Sequence, residues 1–141
     1  MAYAIQADME ERFGTKELLK LTDRSDPPTG EIDAAVVSRA LSDAEAEING
    51  YLAARYTLPL PSTPAVLKRL CCDIARYYLY DDWANDQVRA RFEDATRLLK
   101  LIAQGKVLLG TEPAAPPQTR ASEPQFTKSD RVFSRESLEE F

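Results

Sequence analysis

Few of the residue types that perform chemistry in proteins occur in this sequence in a usable arrangement. None of its 141 residues is a histidine, which excludes a histidine-bearing catalytic triad, a histidine-ligated metal site and a histidine pH switch. The sequence also lacks a glycine-rich phosphate loop and the G-x-S-x-G and H-E-x-x-H motifs. We therefore predict no catalytic, cofactor-binding or metal-binding residues, and we expect the protein not to be an enzyme.

The reactive side chains that are present stand directly next to each other. The carboxylate pairs Glu10-Glu11 and Asp81-Asp82 diverge if they lie on a helix, which favours solvated helix ends over a paired-carboxylate catalytic site. The two cysteines, Cys71 and Cys72, have neither the spacing of a disulfide framework nor that of a C-x-x-C motif. We interpret Cys71 as a small core residue without a redox role.

Tyrosine and arginine side chains are the remaining candidates for ligand binding. The helical spacing of the tyrosines favours a core boundary, where rings pack and hydroxyls reach water, over a surface for stacking nucleic-acid bases. Arg55 and Arg76 lie beside these tyrosines, and we expect one of them to stack on a ring or to pair with an acid where two helices fold back on each other. The tyrosines are Tyr51, Tyr56, Tyr77, Tyr78 and Tyr80.

The elements that position these residues are predicted to be helices, beginning with two short ones. Asp8 is expected to cap a helix that ends near Phe13, with Gly14 as its left-handed stop. Thr15 is expected to cap a second helix over residues 16–21.

Three longer amphipathic helices follow. Asp33 is the predicted N-cap of a helix over residues 34–55, in which apolar residues recur at steps of three and four. A stiff crossover containing Pro59 and Pro61 comes next, because proline removes a backbone donor and favours extended geometry. Thr63 as N-cap, with Pro64 at the first helical position, begins the next helix, which ends within residues 81–86, and the last helix covers residues 86–103. These patterns predict an all-α bundle of three long amphipathic helices and two short N-terminal ones, forming one helical domain over residues 1–110.

The composition changes after residue 110. Residues 111–125 contain four prolines among small and polar residues, which predicts an extended tether. Residues 126–141 combine apolar and charged residues and are predicted to be a docking arm, although a tail packed on its own domain would show the same residues. The candidate interface residues of the arm are Phe126, Phe133, Leu138 and Phe141 as anchors and Arg131 and Arg135 as polar orienters.

The charge distribution limits the partners that the protein is expected to bind. The net charge is −5; residues 1–56 carry a net −5, residues 57–111 a net +2 and residues 112–141 a net −2. Tight sequence-specific DNA binding is disfavoured, because the chain lacks a concentrated basic stripe. No signal peptide pattern and no apolar run of about 18 residues occurs, so we expect neither secretion nor membrane spanning, and a location in the cytosol.

A series of short segments gives the chain a resemblance to a known family. Individually the segments are weak, but they occur in order along nearly the whole chain. The chain resembles the Mu-like phage family of small head-tail connectors, also called adaptor or head-completion proteins. The matching segments include Arg12-Phe13-Gly14, Leu21-Thr22-Asp23, Ile32-Asp33, Tyr51-Leu52-Ala53-Ala54-Arg55-Tyr56, Leu58-Pro59-Leu60, Asp73-Ile74-Ala75-Arg76-Tyr77, Glu93-Asp94-Ala95, Gly105-Lys106 and Arg131-Val132-Phe133-Ser134-Arg135.

This resemblance implies a helical protein of the phage neck, located in the virion and in the host cytoplasm during assembly. Family members form a ring, usually of twelve subunits, beneath the portal protein and above a downstream neck or tail-terminator protein. DNA passes through the ring without specific binding, and the resemblance implies no enzyme activity, no cofactor and no membrane. Twelve copies would carry about −60 charges, which would discourage DNA from adhering to the channel wall.

Two other function classes stay open from the sequence. The chain could be an intracellular helical regulator that binds a protein or nucleic-acid partner through its tyrosine and arginine faces. An enzyme is the least favoured class, because the histidine and the catalytic motifs are missing.

Overall fold

The computed structural model describes residues 2–110, which form a bundle of α-helices. No strand occurs within this part of the chain. The helices are α1 (Gln6–Phe13), α2 (Thr15–Thr22), α3 (Ala34–Leu52), α4 (Ala65–Tyr80) and α5 (Asp86–Ala103), with a 3-10 turn at Asp81–Trp83. The predicted all-α fold of three long and two short helices is confirmed. The tether over residues 111–125 and the arm over residues 126–141, with all six of its candidate interface residues, lie outside the described residues.

The two short helices meet at Gly14, as predicted, but their first residues differ from the prediction. Helix α1 begins before Asp8, which lies in its first turn and accepts a hydrogen bond from the backbone N–H of Ile5 at 2.9 Å. Asp8 is therefore not the N-cap residue, although its carboxylate does satisfy a donor at the start of the helix. Gly14, at φ +87°, is the residue between the helices, and Thr15 is the first residue of α2 instead of its cap.

Helix α3 begins where the sequence predicts. The Asp33 carboxylate accepts hydrogen bonds from the N–H groups of Ala35 and Val36, at 2.9 and 3.2 Å. The helix ends at Leu52 and not at residue 55, because the N–H groups of Arg55 and Tyr56 both turn back to the Leu52 carbonyl. The chain thereby leaves the helix axis before it reaches the prolines.

The proline crossover returns the chain to the bundle. Pro59 and Pro61 are exposed, whereas Leu60 between them is buried. Helix α4 begins at Ala65 with Pro64 as its N-cap, one residue later than predicted. Helix α5 covers the predicted residues, and the Asn85 side chain caps it by accepting from the Val88 N–H at 2.9 Å.

Helix α4 lies at the centre of the bundle together with α3, because each of the two contacts every other α-helix in the described part of the chain. It is apolar on several faces, in keeping with this position. Each fully buried leucine or isoleucine contributes about 1.5–3 kcal/mol through the apolar surface that it removes from water. Its buried apolar residues are Leu67, Leu70, Cys71, Cys72, Ile74, Ala75 and Leu79.

Candidate interaction surfaces

Arg76 joins helix α4 to both short helices. Its Nε donates to Oε1 of Glu17 at 2.7 Å, and its guanidinium lies 4.4 Å from the centre of the Phe13 ring. The Tyr80 hydroxyl donates to the same glutamate oxygen at 2.9 Å. Burial of Tyr80 and its bond to Glu17 both raise the pKa of the tyrosine. Arg76 is 9% exposed, so this pairing is an internal clamp and offers little to a ligand.

The position of this clamp corrects one prediction. Arg76 stacks and pairs with an acid as expected, but its partners belong to α1 and α2 instead of the crossover. The reason is the length of α4. Arg76 lies eleven residues beyond Ala65, about 16 Å along the helix from the crossover.

The tyrosines form no continuous stacking surface in the described residues. Tyr77 stacks on Phe92 with 4.1 Å between ring centres, and the Tyr78 hydroxyl donates to the Glu47 carboxylate. Burial and this bond raise the pKa of Tyr78. Tyr56 is buried at the other end of the bundle. The rings of Tyr56, Tyr77 and Tyr78 pack internally, as the core-boundary interpretation expects, but the hydroxyls of Tyr56, Tyr78 and Tyr80 bond to protein groups where the sequence predicted that they reach water.

Arg55 and Tyr56 lie where the chain leaves α5. The Tyr56 hydroxyl accepts from the N–H of Leu109 at 3.1 Å. Gly105, at φ +73°, ends the helix region, and a Cβ built on it would lie 2.3 Å from Nη1 of Arg55. The end of α3 therefore fixes the path of residues 106–110 across the bundle.

Both cysteines are core residues, as predicted for Cys71. Neither forms a disulfide, and both are buried. Burial raises the pKa of Cys71 to about 12 and that of Cys72 to about 11. Their thiols therefore stay protonated and unreactive at neutral pH.

An exposed groove with three arginines lies between α1, α4 and α5, and we call it the arginine groove. It has a volume of about 370 Å³. Its apolar floor comes from Leu70 and Ala95, which are buried, and from the partly buried Phe13. Arg12, Arg69, Arg91, Asp73 and Asp94 complete the lining.

The charges of the arginine groove do not cancel. None of Arg12, Arg69 and Arg91 forms an ion pair within residues 2–110. Asp94 pairs instead with Arg97, at 3.0 Å. Only the half-buried Asp73 carboxylate remains to balance the three guanidinium groups. Burial raises the pKa of Asp73, and this effect outweighs the opposing influence of the surrounding arginines. The groove is thus suited to an acidic group on a partner.

A second exposed surface surrounds Trp83, and we call it the tryptophan corner. Trp83 is 87% exposed and lies beside a groove of about 570 Å³. Asp81, at φ +53°, turns the chain sharply out of α4. Arg24 braces this turn by donating from Nη2 to the Leu79 carbonyl at 3.3 Å. The remaining lining residues are Lys20, Leu21 and Tyr80.

Sequence reasoning missed both of these surfaces. Trp83 carries a local signal, because it is the only tryptophan and stands between two helices, outside the apolar period of either. The arginine groove carries no such signal, since its three arginines come from three different helices. An exposed tryptophan and an unbalanced arginine cluster are both features that favour a partner-binding role.

Between residues 2 and 110 no three carboxylate or cysteine side chains converge as a metal site would require. None of the helices in this part of the chain has the length and hydropathy to cross a bilayer.

Comparisons with known proteins agree on one family. The family model described as "Bacteriophage Mu, Gp36" matches residues 3–128. "Gene product J" of Escherichia phage Mu is 38% identical over 141 aligned residues, which cover 94% of this chain and 99% of that protein. "Mu-like prophage FluMu protein gp36" of Haemophilus influenzae is 48% identical over 84 residues, covering 60% of each chain. The residues matched by the family model include all five helices and extend beyond them.

Proposed function

Because this chain belongs to the Bacteriophage Mu Gp36 family, we propose that it is a structural protein of the phage neck. It acts as a head-tail connector that forms a ring beneath the portal, and DNA passes through this ring. Its partners are the portal protein on one side and a downstream neck or tail-terminator protein on the other. It takes part in no chemical reaction and carries no cofactor.

The observation that supports this proposal most is the presence of two unlike docking surfaces on one small bundle. A closed ring of identical subunits uses heterologous contacts, in which one patch of each subunit meets a different patch of the next. The arginine groove lies between α1 and the middle of α4 and α5, whereas the tryptophan corner lies at the end of α4. An exposed tryptophan is the type of residue that dominates binding energy at protein interfaces.

The charge of the chain supports a channel for DNA. With −5 per subunit, a ring of twelve copies carries about −60 charges, which repel the phosphate backbone. DNA would therefore slide through the ring without adhering to it. We propose that the protein is located in the virion neck, and in the host cytoplasm during assembly.

Ring formation is expected to depend on the portal. A purified subunit should be monomeric or weakly associated, because its contacts close into a ring only when a template brings all the copies together.

Imaging of portal complexes with added protein tests the proposal. The wild-type chain should occupy the portal as an ordered ring, whereas Trp83→Ala should reduce its occupancy at least tenfold if the tryptophan corner contributes to assembly. The matched control is Gln87→Ala, an exposed position on α5 that lines neither surface. Absent or random occupancy by the wild-type protein would contradict the connector function. A salt-sensitive shift of duplex DNA by the isolated protein would instead favour the helical regulator.

A further inference from the structure

The arginine groove matches a segment of this chain that lies outside the described residues. Building on the proposed ring, we infer that the arginine groove of one copy binds residues 136–141 of a neighbouring copy. This contact would be a joint between adjacent subunits and would give the groove an occupant of defined chemistry.

The groove presents positive charge around an apolar floor. Arg12, Arg69 and Arg91 are exposed, and none of them forms an ion pair among residues 2–110, although all three act on the single half-buried Asp73 carboxylate. Guanidinium groups bind carboxylates well, because two parallel N–H donors can match the two carboxylate oxygens. The floor formed by Phe13, Leu70 and Ala95 offers a place for an apolar side chain between these charges.

Residues 136–141 have the complementary composition. The sequence Glu-Ser-Leu-Glu-Glu-Phe contains three glutamates and no basic residue, together with Leu138 and Phe141. Three carboxylates can therefore meet three guanidinium groups while an apolar anchor enters the floor. A nucleic-acid backbone fits less well, because phosphates do not use an apolar floor and would meet the carboxylate of Asp73.

The length of the intervening chain favours a neighbouring copy over the same copy. Residues 111–135 can span up to about 80 Å when extended. Within one subunit, the groove residue Ala95 lies ten residues along α5 from Gly105, where the chain turns away, a distance of only about 15 Å. A segment that served its own groove would need a small part of this length. A connection that crosses from one subunit to a neighbouring subunit must span a distance similar to the diameter of the domain, which uses much more of the length of residues 111–135.

Disulfide trapping in the full chain tests the inference. Copies carrying Arg69→Cys are mixed with copies carrying Glu139→Cys, and oxidation should join them at least fivefold faster than a control mixture of Arg89→Cys and Glu139→Cys. Arg89 is a suitable control, because it is exposed on α5 and points about 200° away from Arg91 around the helix. The native cysteines do not interfere, since both are buried and their pKa values are raised.

Three outcomes would overturn the inference. Equal rates in both mixtures would show that the trapping is not specific for the groove. A chain carrying both Arg69→Cys and Glu139→Cys that closes on itself, without dimers in the mixture, would show that the segment binds its own copy. Binding of a labelled DNA duplex that is lost in Arg69→Glu/Arg91→Glu, without specific trapping, would make the groove a nucleic-acid site.

Charge exchange provides a second test that does not depend on cysteine chemistry. Arg69→Glu/Arg91→Glu should weaken self-association at high protein concentration at least fivefold, and Glu139→Arg/Glu140→Arg in the same chain should restore it. Circular dichroism should be unchanged, because Arg69 and Arg91 are not part of the core and Glu139 and Glu140 lie outside the described residues. Failure of the second pair to restore association would contradict the proposed contact.

The two proposals can fail separately. Specific trapping together with unoccupied portals would refute the connector function and leave the contact between copies intact. Ordered rings on the portal without specific trapping would refute the groove contact alone.

Discussion

At the scale of single residues, the polar side chains of the core serve mainly to orient the helices. Arg76 is held by Glu17 on α2 and by the Phe13 ring on α1. A buried ion pair contributes little net stability compared with an apolar pair, because both charges lose water. Loss of one partner is costly, since the other charge then stays buried and unpaired. The clamp therefore specifies how the short helices sit on α4.

Glu17→Gln is expected to destabilise the protein by about 2–3 kcal/mol, because Arg76 loses its countercharge while the shape of the side chain is kept. This corresponds to a decrease in melting temperature of about 10 °C for a domain of this size. Thermal denaturation followed by circular dichroism measures it. The control Glu11→Gln, at an exposed position of α1, should change the melting temperature by less than about 2 °C. Equal effects of the two variants would contradict the role of the clamp.

Two aspartates should have opposite effects on the pH dependence of stability. The Ile5 N–H and the Lys68 ammonium lower the pKa of Asp8 below 3.8, so its ionised form stabilises the fold above that pH and the benefit is lost as pH falls. Burial raises the pKa of Asp73 above 3.8, so its ionised form costs stability at neutral pH and protonation removes the cost.

Asp8→Asn should therefore lower the stability at pH 7 by about 1–2 kcal/mol, the usual value of charged hydrogen bonds. Asp73→Asn should leave the stability at pH 7 unchanged or increase it. The Asp73 difference should shrink as the pH falls from the raised pKa towards 3.8, whereas the Asp8 difference should shrink as the pH falls below 3.8. Urea denaturation at pH 7 and at pH 3 measures the four values. A destabilising Asp73→Asn at pH 7 would show that the arginines outweigh burial.

At the scale of the helices, α4 determines whether the bundle forms. Like α3, it contacts all the other α-helices of the described chain, and its buried face contains Leu70 and Ile74, which are at most 1% exposed. Damage to this face should therefore affect every other helix.

Leu70→Asp or Ile74→Asp should unfold residues 2–110, because each places an unpaired charge in the packed core. The cost should exceed about 4 kcal/mol, which is most of the stability of an ordinary domain. Ala65→Asp is the control, since Ala65 is exposed in the first turn of α4, where an acid is favourable. Native circular dichroism and melting temperature in either core variant would show that the assignment of this helix face is wrong.

Two glycines distinguish a helix interior from a helix end. Gly50 lies exposed in α3, and a Cβ built on it meets no atom within 4 Å, so its presence there reflects tolerance and not close packing. Gly105 has φ +73° and lies against the Arg55 guanidinium.

Gly50→Ala should stabilise the domain by about 0.5–1 kcal/mol, because alanine loses less conformational freedom in a helix. Gly105→Ala should destabilise it by about 1 kcal/mol, chiefly through backbone strain at φ +73°, because the flexible end of the exposed Arg55 side chain can move away from the added methyl group. The double variant Gly105→Ala/Arg55→Ala should recover only the small part of the loss that is due to the contact with Arg55. Denaturation midpoints of the three variants measure these effects, and a destabilising Gly50→Ala would contradict the open surroundings of Gly50.

At the scale of the whole molecule, the described bundle and the C-terminal arm are expected to have separate tasks. The helices close their core with residues from 3 to 102. The proposed joint uses residues 136–141, which are part of the predicted docking arm over residues 126–141. Stability and assembly should therefore respond to different changes.

Deletion of residues 126–141 should change the melting temperature of the helical bundle by less than about 2 °C, while filled heads fail to join tails. Calorimetry of the truncated protein and electron microscopy of assembled particles measure the two effects. Unfolding of the truncated protein would mean that the arm belongs to the core. Normal joining of heads and tails would mean that the arm is not the docking element.

The sequence by itself determined the helices, because the signals for them are local. Apolar residues at steps of three and four predicted the buried faces of α3, α4 and α5. Asp33 indicated the start of a helix through its side chain, and Gly14 indicated the end of one through its backbone conformation. Boundaries near Arg55 and Pro64 were wrong by up to three residues, since the final turns depend on hydrogen bonds that periodicity does not record.

Only the tertiary structure decided which polar side chains meet. Glu17 and Arg76 are 59 positions apart, and the arginine groove takes one residue from each of three helices. Such pairings depend on how the helices cross and rotate against each other, which a local pattern does not encode. The exposure of Trp83 depends in the same way on the turn at Asp81. Local periodicity thus determined what is buried, and the packing of the helices determined what is presented to a partner.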